Sequence, residues 1–308
     1  IELCLVGSEM CIRDRAVTTK FTNNDELDFE MFNKNIVTQL DAGVSGIVLG
    51  GTLGEASTLT RNEKSTLIKN TVEIVENKIP VLMNIAEQST SEAIVSVQNA
   101  EKDGASGLMI LPPMRYKASD EETVAYFKSV AKSTSLPIMI YNNPIDYKIE
   151  VTLDMFDELL QCDNIQAVKE STRDISNVTR IINCFGDRLK IMTGVDTIAL
   201  ESLLMGAHGW VAGLVDAFPK ETVAIYKLQK AGSINEALEI YRWFLPLLEL
   251  DINSKLVQNI KLAEMYTGIG TENVRLPRLP LIGDERKKVI KIIESSLETR
   301  PDLSKYNY

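Results

Sequence analysis

Three short segments of the sequence carry side chains that could act on a carbonyl compound. Lys169 directly follows the apolar run IQAV, with no turn residue between them. A lysine at the end of a buried strand is partly desolvated, which lowers its pKa and frees the amine to attack a carbonyl carbon and form a Schiff base. The alternative is a lysine that extends to water beside Glu170 and has no chemical role.

Two further segments could assist such an amine. Tyr141 ends the run IMIY, where a phenol could shuttle a proton or stabilise an oxyanion, or could simply cap the strands. The segment GGTLGE at 50–55 combines the hydroxyl of Thr52 with backbone N–H groups that glycines make accessible. This combination suits a carboxylate ligand, although glycine-rich turns are often purely structural.

These segments belong to a regular alternation of apolar runs and amphipathic helical patterns. The predicted strands are AVTTKF (16–21), GIVLG (46–50), VLMNI (81–85), GLMIL (107–111), IMIYN (138–142), IQAVK (165–169), LKIMTG (189–194) and GWVAG (209–213). Eight such repeats over 16–232 predict an α/β fold of the TIM (β/α)8 barrel type, with chemistry at the carboxyl ends of the strands. An open doubly wound sheet is the rival, but the G-x-G-x-x-G turn that usually accompanies it is absent from the sequence.

The last part of the sequence, 233–308, contains three helical patterns and no strand pattern. We expect a C-terminal helical appendix of about three helices packed on the barrel as an extra core layer. A partner-binding role for this appendix is the alternative.

The composition argues against several classes of function. A net charge of −10 without a basic stripe argues against a nucleic-acid partner, and no run approaches the roughly 18 apolar residues of a membrane span. The single histidine, His208, and four cysteines without C-x-x-C spacing offer few metal ligands. We therefore expect a cytoplasmic protein with reduced thiols and no metal.

In combination, the segments resemble the dihydrodipicolinate synthase / N-acetylneuraminate lyase family of Schiff-base TIM-barrel enzymes, from about residue 16 to 297. The resemblance rests on GGTLGEASTLT (50–60), IMIYNNP (138–144), AVKES (167–171), TGVD (193–196) and GAHGWVAG (206–213). It implies that Lys169 forms an imine with a 2-oxo acid and that Tyr141 relays protons to and from the adduct. It also implies an enzyme without metal or cofactor, a homotetramer, and a bystander role for His208.

The resemblance also assigns the residues that would bind substrate. Thr52 and the Leu53 backbone match the carboxylate-binding turn, Gly194 and Val211 match the pyruvate-like end of the pocket, and Ser171 would contact a hydroxyl. The implied substrate-binding set is Gly51, Thr52, Leu53, Ser171, Gly194 and Val211.

Departures from the family pattern bear on the substrate. Leu53 replaces a hydroxyl residue, and Met114 takes the place of a tyrosine lent by a neighbouring subunit, so we expect two members of the usual proton relay to be missing. Asp146 stands where dihydrodipicolinate synthases carry an arginine that holds the semialdehyde carboxylate. We therefore expect a different substrate, and favour 4-hydroxy-1-pyrroline-2-carboxylate, deaminated in hydroxyproline breakdown, because those family members resemble this chain at Leu53 and in GVDT.

Several alternatives stay open. They are a pyruvate-dependent aldolase or dehydratase of 3-deoxy-2-oxo sugar acids, an N-acetylneuraminate-lyase-like enzyme, dihydrodipicolinate synthase itself, and a non-catalytic barrel that binds a 2-oxo acid. The residues expected to set specificity lie in loops that would meet the hydroxylated end of the substrate: Glu87, Met114, Asp146, Tyr147 and Lys148.

The first residues differ in character from the rest. The family begins its first strand with an apolar run before Ala16, whereas this sequence has Arg13, Asp14 and Arg15 there. Charges conflict with a strand buried on both faces. Residues 1–15 also resemble a translated adapter sequence, so we expect them not to be native; a divergent N-terminal arm is the alternative.

Overall fold

The computed structural model describes residues 14–113, 116–211 and 213–306. The strands in these residues are β1 (Asp14–Ala16), β2 (Gly46–Leu49), β3 (Val81–Ile85), β4 (Gly107–Ile110), β5 (Ile138–Asn142), β6 (Ile165–Glu170), β7 (Lys190–Thr193) and β8 (Gly209–Trp210). The helices are α1 (Phe29–Ala42), α2 (Arg61–Val75), α3 (Thr90–Lys102), α4 (Asp120–Ala131), α5 (Pro144–Tyr147), α6 (Leu153–Leu159), α7 (Ser176–Phe185), α8 (Ala199–Leu204), α9 (Pro219–Lys230), α10 (Ile234–Leu248), α11 (Leu256–Tyr266) and α12 (Gly283–Glu298).

The strands form one parallel sheet in the chain order β1 to β8. One face of this sheet contributes a residue from every strand to a single apolar cluster: Ala16, Val48, Leu82, Met109, Met139, Ala167, Met192 and Trp210. Because Ala16 and Trp210 come from the two end strands of the sheet, the sheet must curl around this cluster. The opposite face packs on helices through residues such as Ile47, Val81 and Leu108.

Local sequence signals explain where the outer helices begin. Thr60 and Ser119 each cap a helix in a capping box with a glutamate three residues later. Gly43 ends α1 at φ 84°, a left-handed conformation that glycine adopts without steric cost. None of the helices in the described ranges combines the length and hydrophobicity needed to cross a membrane.

The predicted first strand is wrong in its bounds. The sequence pattern places it over 16–21, whereas β1 covers Asp14–Ala16 and pairs with β2 through Asp14 and Gly46. Beyond Val17 the chain leaves the ladder because side chains take over its hydrogen bonds: the Thr18 N–H donates to Asp216 and the Thr18 hydroxyl to Glu264. Residues 1–13, most of the segment expected to be non-native, lie outside the described residues.

The other predicted strands agree with the structure more closely. The bounds of β3 and β5 are those predicted, and β6 extends one residue further, to Glu170. The three predicted C-terminal helices are present as α10, α11 and α12. They pack on α9, on one another and on the loops after β7 and β8. Phe244, Ile260 and Ile293 join the apolar cluster that also contains the inner face of the sheet.

Buried ion pairs fasten α11 to the start of the chain and to the loop after β2. The Lys20 Nζ lies 2.7 Å from a carboxylate oxygen of Glu264, and both side chains are fully buried. The Lys261 Nζ lies 2.5 Å from Glu55 Oε1, again with both side chains fully buried. Asn35 adds a hydrogen bond to Glu264 at 3.1 Å. These contacts fix the C-terminal helices against the carboxyl ends of β1 and β2.

We expect Glu264→Gln to lower the free energy of unfolding by about 3–5 kcal/mol, because it leaves the Lys20 ammonium buried without a carboxylate. Urea unfolding followed by circular dichroism measures the change. Asp174→Asn is the control: it breaks an exposed ion pair with Arg180 and should cost less than about 1 kcal/mol. Equal losses in the two variants would contradict the importance of the buried pair.

Candidate active site

A cavity opens where the carboxyl ends of the parallel strands meet. Its lining is Ala16, Gly51, Thr52, Leu53, Met109, Tyr141, Asn143, Asp146, Tyr147, Lys169, Ser171, Arg173, Gly194, Val195, Val211, Gly213, Asp251, Ile252 and Leu256. These residues come from strand ends, from the loops that follow them and from the segment between α10 and α11. This is the end of a parallel α/β sheet at which ligands are generally bound.

Lys169 lies at the centre of the cavity's chemistry. Its side chain is buried, with the residue only 7% exposed, so it does not extend to water as the alternative interpretation required. The register of β5 and β6 places Lys169 directly opposite Tyr141, and its Nζ lies 4.4 Å from the centroid of the tyrosine ring. Burial lowers the pKa of Lys169, against the opposing effects of Tyr147, Asp251 and Asp196. The amine is therefore more readily deprotonated than that of an exposed lysine.

The absence of a side chain at Gly194 leaves room for the side chain of Lys169. A Cβ at this position would come within 2.2 Å of Ser171 Oγ and 2.6 Å of Lys169 Cε. The Ser171 hydroxyl is itself buried and makes no hydrogen bond of ordinary geometry in the described part of the chain, although it lies near enough to Tyr141 to lower the pKa of that phenol slightly. Because a buried hydroxyl without a partner is costly, Ser171 is available to hydrogen-bond a ligand in the cavity.

Two phenols stand beside the amine. The rings of Tyr141 and Tyr147 meet edge to face, with centroids 5.4 Å apart. The Tyr147 hydroxyl lies 2.8 Å from Thr52 Oγ1, and the Asn143 amide donates to the Tyr141 hydroxyl at 3.2 Å. Burial raises the pKa of Tyr141 to about 12, and burial also raises the pKa of Tyr147. Both phenols therefore carry a proton near neutral pH and can donate it.

The sequence YNNPIDY explains how Tyr147 reaches the cavity. Asn143 accepts a hydrogen bond from the Asp146 N–H, and Pro144 at the first helical position starts the short helix α5. This single turn brings the chain back over the end of β5. The Asn143 amide also donates to Asp146 Oδ2 at 2.7 Å, which orients the carboxylate.

The glycine-rich turn after β2 is held from three sides. The Asn84 amide donates to the Gly50 carbonyl at 2.8 Å, and the Thr19 hydroxyl donates to the Gly54 carbonyl at 2.7 Å. Glu55, which ends the turn in a left-handed conformation, is tied to Lys261. The turn therefore presents the Thr52 hydroxyl and nearby backbone to the cavity from a rigid support.

Two aspartates with different surroundings lie near the amine. Asp196 is fully buried and accepts hydrogen bonds from the Trp210 indole and the Leu214 N–H, both at 3.0 Å, so it holds the loop after β8. Burial raises its pKa despite these donors. Asp251 lines the cavity from the segment between α10 and α11, and burial together with the charge of Asp196 raises its pKa well above the usual range.

The predicted catalytic and substrate-binding residues all line this one cavity: Gly51, Thr52, Leu53, Tyr141, Lys169, Ser171, Gly194 and Val211. Asp146 and Tyr147 line it as well. Glu87 does not; it lines a second cavity and accepts hydrogen bonds from Lys64 and Ser96. Lys148, which donates to the Ile145 carbonyl, and His208, which accepts from the Ile191 N–H, are also not among the lining residues. Met114 lies outside the described residues.

Three polar or charged side chains of the cavity, Asn143, Arg173 and Asp251, are missing from the predicted set. Arg173 and Asn143 follow β6 and β5 within a few positions, so a search of every residue after each strand would have found them. Asp251 had no such signal, because it lies in a helical region about 80 residues beyond Lys169. Among the described residues, no group of three or more histidine, cysteine or acidic side chains is arranged to hold a metal ion.

A buried lysine amine beside two phenols, at the carboxyl ends of a curled parallel sheet, defines a Schiff-base-forming lyase. The chain belongs to the dihydrodipicolinate synthetase family, whose sequence profile matches residues 14–296.

Individual relatives agree with this assignment. The chain is 32% identical over 270 residues to 4-hydroxy-tetrahydrodipicolinate synthase of Exiguobacterium sibiricum, an alignment that covers 87% of this chain and 90% of that protein. It is 31% identical over 276 residues to the protein of the same name from Bartonella bacilliformis, which covers 89% and 94% of the two chains. The solved 4-hydroxy-tetrahydrodipicolinate synthase of Methylacidiphilum fumariolicum superposes with a TM-score of 0.88 at 28% identity, covering 94% of this chain and 98% of that one.

We expect Gly194→Ala to slow imine formation at Lys169 about 100-fold, because the new methyl group displaces the Lys169 and Ser171 side chains. Borohydride trapping with pyruvate, followed by mass spectrometry, measures the rate. Gly232→Ala is the matched control: at φ 82° it strains the backbone, but its Cβ meets no atom within 4 Å. Similar trapping rates in the two variants would show that Gly194 does not provide the space for Lys169.

The lowered pKa of Lys169 predicts a shifted pH profile for trapping. The attacking species is the neutral amine, so the rate should rise with pH and level off below 10.5, the ordinary pKa of lysine. The reference is an N-acetyl-lysine amide under the same conditions, whose reaction should level off near its ordinary value. A plateau at or above the reference value would contradict the effect of burial on Lys169.

Proposed function

We propose that this protein is a class I lyase in which Lys169 forms an imine with a small 2-oxo acid or cyclic imino acid. The observation that carries the proposal is the buried amine of Lys169 facing the Tyr141 ring across two paired strands. The sheet would close as a (β/α)8 barrel over 16–232, with 233–308 as its helical appendix. The enzyme would act in the cytoplasm as a homotetramer without metal or cofactor.

Imine formation would use the cavity's residues in defined roles. Thr52 and the backbone at Gly51 and Leu53 would hold the substrate carboxylate, which leaves C2 in front of Lys169 Nζ. The amine adds to C2, and the oxygen on C2 then leaves as water. That departure needs a proton, which the Tyr141 phenol can supply because it is protonated and close to the amine.

Tyr147 would complete the proton relay within the chain. Leu53 lacks the hydroxyl that the family resemblance led us to expect, but the Thr52 hydroxyl and the Tyr147 phenol are hydrogen-bonded at 2.8 Å. The Tyr147 ring in turn contacts Tyr141. Ring packing does not itself carry a proton, so transfer between the two phenols would pass through the bound substrate or a water molecule between their hydroxyls.

For the substrate we favour 4-hydroxy-1-pyrroline-2-carboxylate, which would be deaminated to a 2-oxo semialdehyde. Lys169 would exchange with the ring imine, water would be lost from the 4-hydroxyl, and ammonia would be released. The support is the carboxylate of Asp146 on the cavity wall, which would repel a second carboxylate but can accept a hydrogen bond from a hydroxyl.

Synthesis of 4-hydroxy-tetrahydrodipicolinate is the second candidate, and Arg173 is the observation that favours it. This cation lines the cavity and could hold the carboxylate of a semialdehyde, a role for which the sequence pattern suggested no residue. All three relatives described above carry this name. Aldol cleavage or dehydration of 3-deoxy-2-oxo sugar acids would use the same imine.

Mass spectrometry after borohydride reduction tests the proposed imine. We expect incubation with pyruvate or with hydroxypyrroline carboxylate to add the mass of the reduced adduct at Lys169, and Lys169→Ala to abolish it. Lys128→Ala, which removes a surface lysine paired with Glu158, should leave the adduct unchanged. No adduct at Lys169 with any of the acids would refute the enzyme and leave a non-catalytic binding barrel.

An assay panel separates the substrates. If deamination is the reaction, hydroxypyrroline carboxylate should be turned over faster than the pair of pyruvate and aspartate semialdehyde. Arg173→Gln should then slow the condensation of pyruvate with the semialdehyde more than it slows the deamination. The reverse order of rates would identify the synthase. Turnover only of sugar acids would assign the aldolase or dehydratase.

Tyr147→Phe should lower turnover of the accepted substrate about 100-fold, because it removes the phenol that bonds Thr52 and keeps the ring that packs on Tyr141. Steady-state kinetics measures the effect, which should fall on kcat more than on KM. Tyr116→Phe changes a tyrosine that is 57% exposed and should leave both constants unchanged. A Tyr147→Phe enzyme within twofold of the native rate would exclude the relay.

A further inference from the structure

The C-terminal helical region contributes an acidic side chain to the cavity. Asp251 lies in a short 3-10 turn, Glu249–Ile252, between α10 and α11, and it lines the same cavity as Lys169. Ile252 and Leu256 extend the same wall. The appendix thus supplies a part of the cavity that the strand ends alone would leave open.

Gly213 makes room for the Asp251 carboxylate. A Cβ at Gly213 would lie 2.3 Å from Asp251 Oδ1 and 3.1 Å from Leu53 Cδ1. Any larger residue at this position would have to push the carboxylate away. The carboxylate therefore sits beside Leu53, the position at which the resemblance led us to expect a proton-relaying hydroxyl.

The two aspartates near the amine differ in how they are used. Asp196 is fully buried and receives backbone N–H groups from Gly213 and Leu214 as well as the Trp210 indole, as a structural carboxylate does. Within the described residues, the Asp251 carboxylate accepts no hydrogen bond, and it faces the cavity instead. A carboxylate that receives no hydrogen bond from the protein and shares a cavity with a lysine is placed to contact a ligand rather than to stabilise the fold.

We propose that Asp251 is a catalytic residue that accepts a proton from C3 of the substrate imine held by Lys169. In this step the C3–H bond breaks and its electron pair forms the C2=C3 double bond. The π pair of the C2=N bond moves to the nitrogen, and the proton passes to the Asp251 carboxylate. The neutral enamine and the protonated Asp251 balance the step, and the protonated carboxyl can later return the proton to carbon or to a leaving hydroxyl.

The electrostatic surroundings support this role. Burial and the charges of Asp196 and Asp146 raise the pKa of Asp251, while Lys169 and Arg173 lower it. A carboxyl with a raised pKa is a stronger base than an exposed aspartate and can also give its proton back. The charged form of Asp251 is stabilised by the cationic imine at Lys169, which forms just before Asp251 takes the proton.

This proposal rests on the proposed function, and two separate measurements with pyruvate as the substrate test it. Borohydride trapping reports imine formation at Lys169, and NMR in D2O reports exchange of the C3 protons for deuterium. We expect Asp251→Asn to trap pyruvate within about threefold of the native rate and to exchange its protons about 100-fold more slowly. Glu249→Gln changes an exposed carboxylate in the same turn and should leave both rates unchanged.

Gly213→Ala provides a second variant if Asp251→Asn does not fold, as circular dichroism would show. Its methyl group should displace the Asp251 carboxylate and reduce exchange while trapping continues. Native exchange rates in a folded Asp251→Asn protein would overturn the assignment of Asp251 and leave the imine chemistry intact. Absence of trapping in the native protein would instead refute the proposed function itself.

Discussion

The removal of the Lys169 amine from water is the constraint on which the rest of the site depends. Parallel strands end together, so a lysine at the end of β6 is enclosed by its neighbours before any ligand arrives. Gly194 leaves the space that the side chain fills, and the Tyr141 ring covers it. Burial makes the neutral amine accessible, while carboxylates nearby limit the cost of the charged form.

Buried ion pairs link this site to the stability of the fold. Glu264 binds Lys20 at the beginning of the chain, and Lys261 binds Glu55 at the end of the glycine-rich turn. Both partners in α11 lie one helical turn apart, so a single helix holds two loops of the sheet's carboxyl end. The same attachment carries Asp251 to the cavity, which makes the C-terminal helices part of the site rather than a covering layer.

Two departures from the family pattern, Leu53 and Asp146, line the cavity that contains Lys169. Leu53 lacks the hydroxyl that the resemblance led us to expect. The Tyr147 phenol bonds the neighbouring Thr52, and the Asp251 carboxylate lies beside Gly213, close to Leu53. A proton path assembled from one subunit would not need a tyrosine lent by a neighbour. In the proposed mechanism, the amine of Lys169 and the groups that would move protons around it therefore all belong to one subunit.

Much of the fold and the centre of the site could be predicted from the sequence, because strand periodicity and strand ends are local properties. The apolar runs located β3 and β5, and a lysine directly after IQAV located Lys169 opposite Tyr141. The bounds of β1 were wrong because Thr18 bonds Asp216 and Glu264, which lie some 200 residues away in the sequence. Asp251 and the Tyr147–Thr52 contact likewise depend on packing between distant segments. The sequence by itself therefore determined the position of Lys169 at the end of its strand, opposite Tyr141. Only the tertiary structure decided which acids and phenols surround Lys169, since those distances have no periodic signature in the sequence.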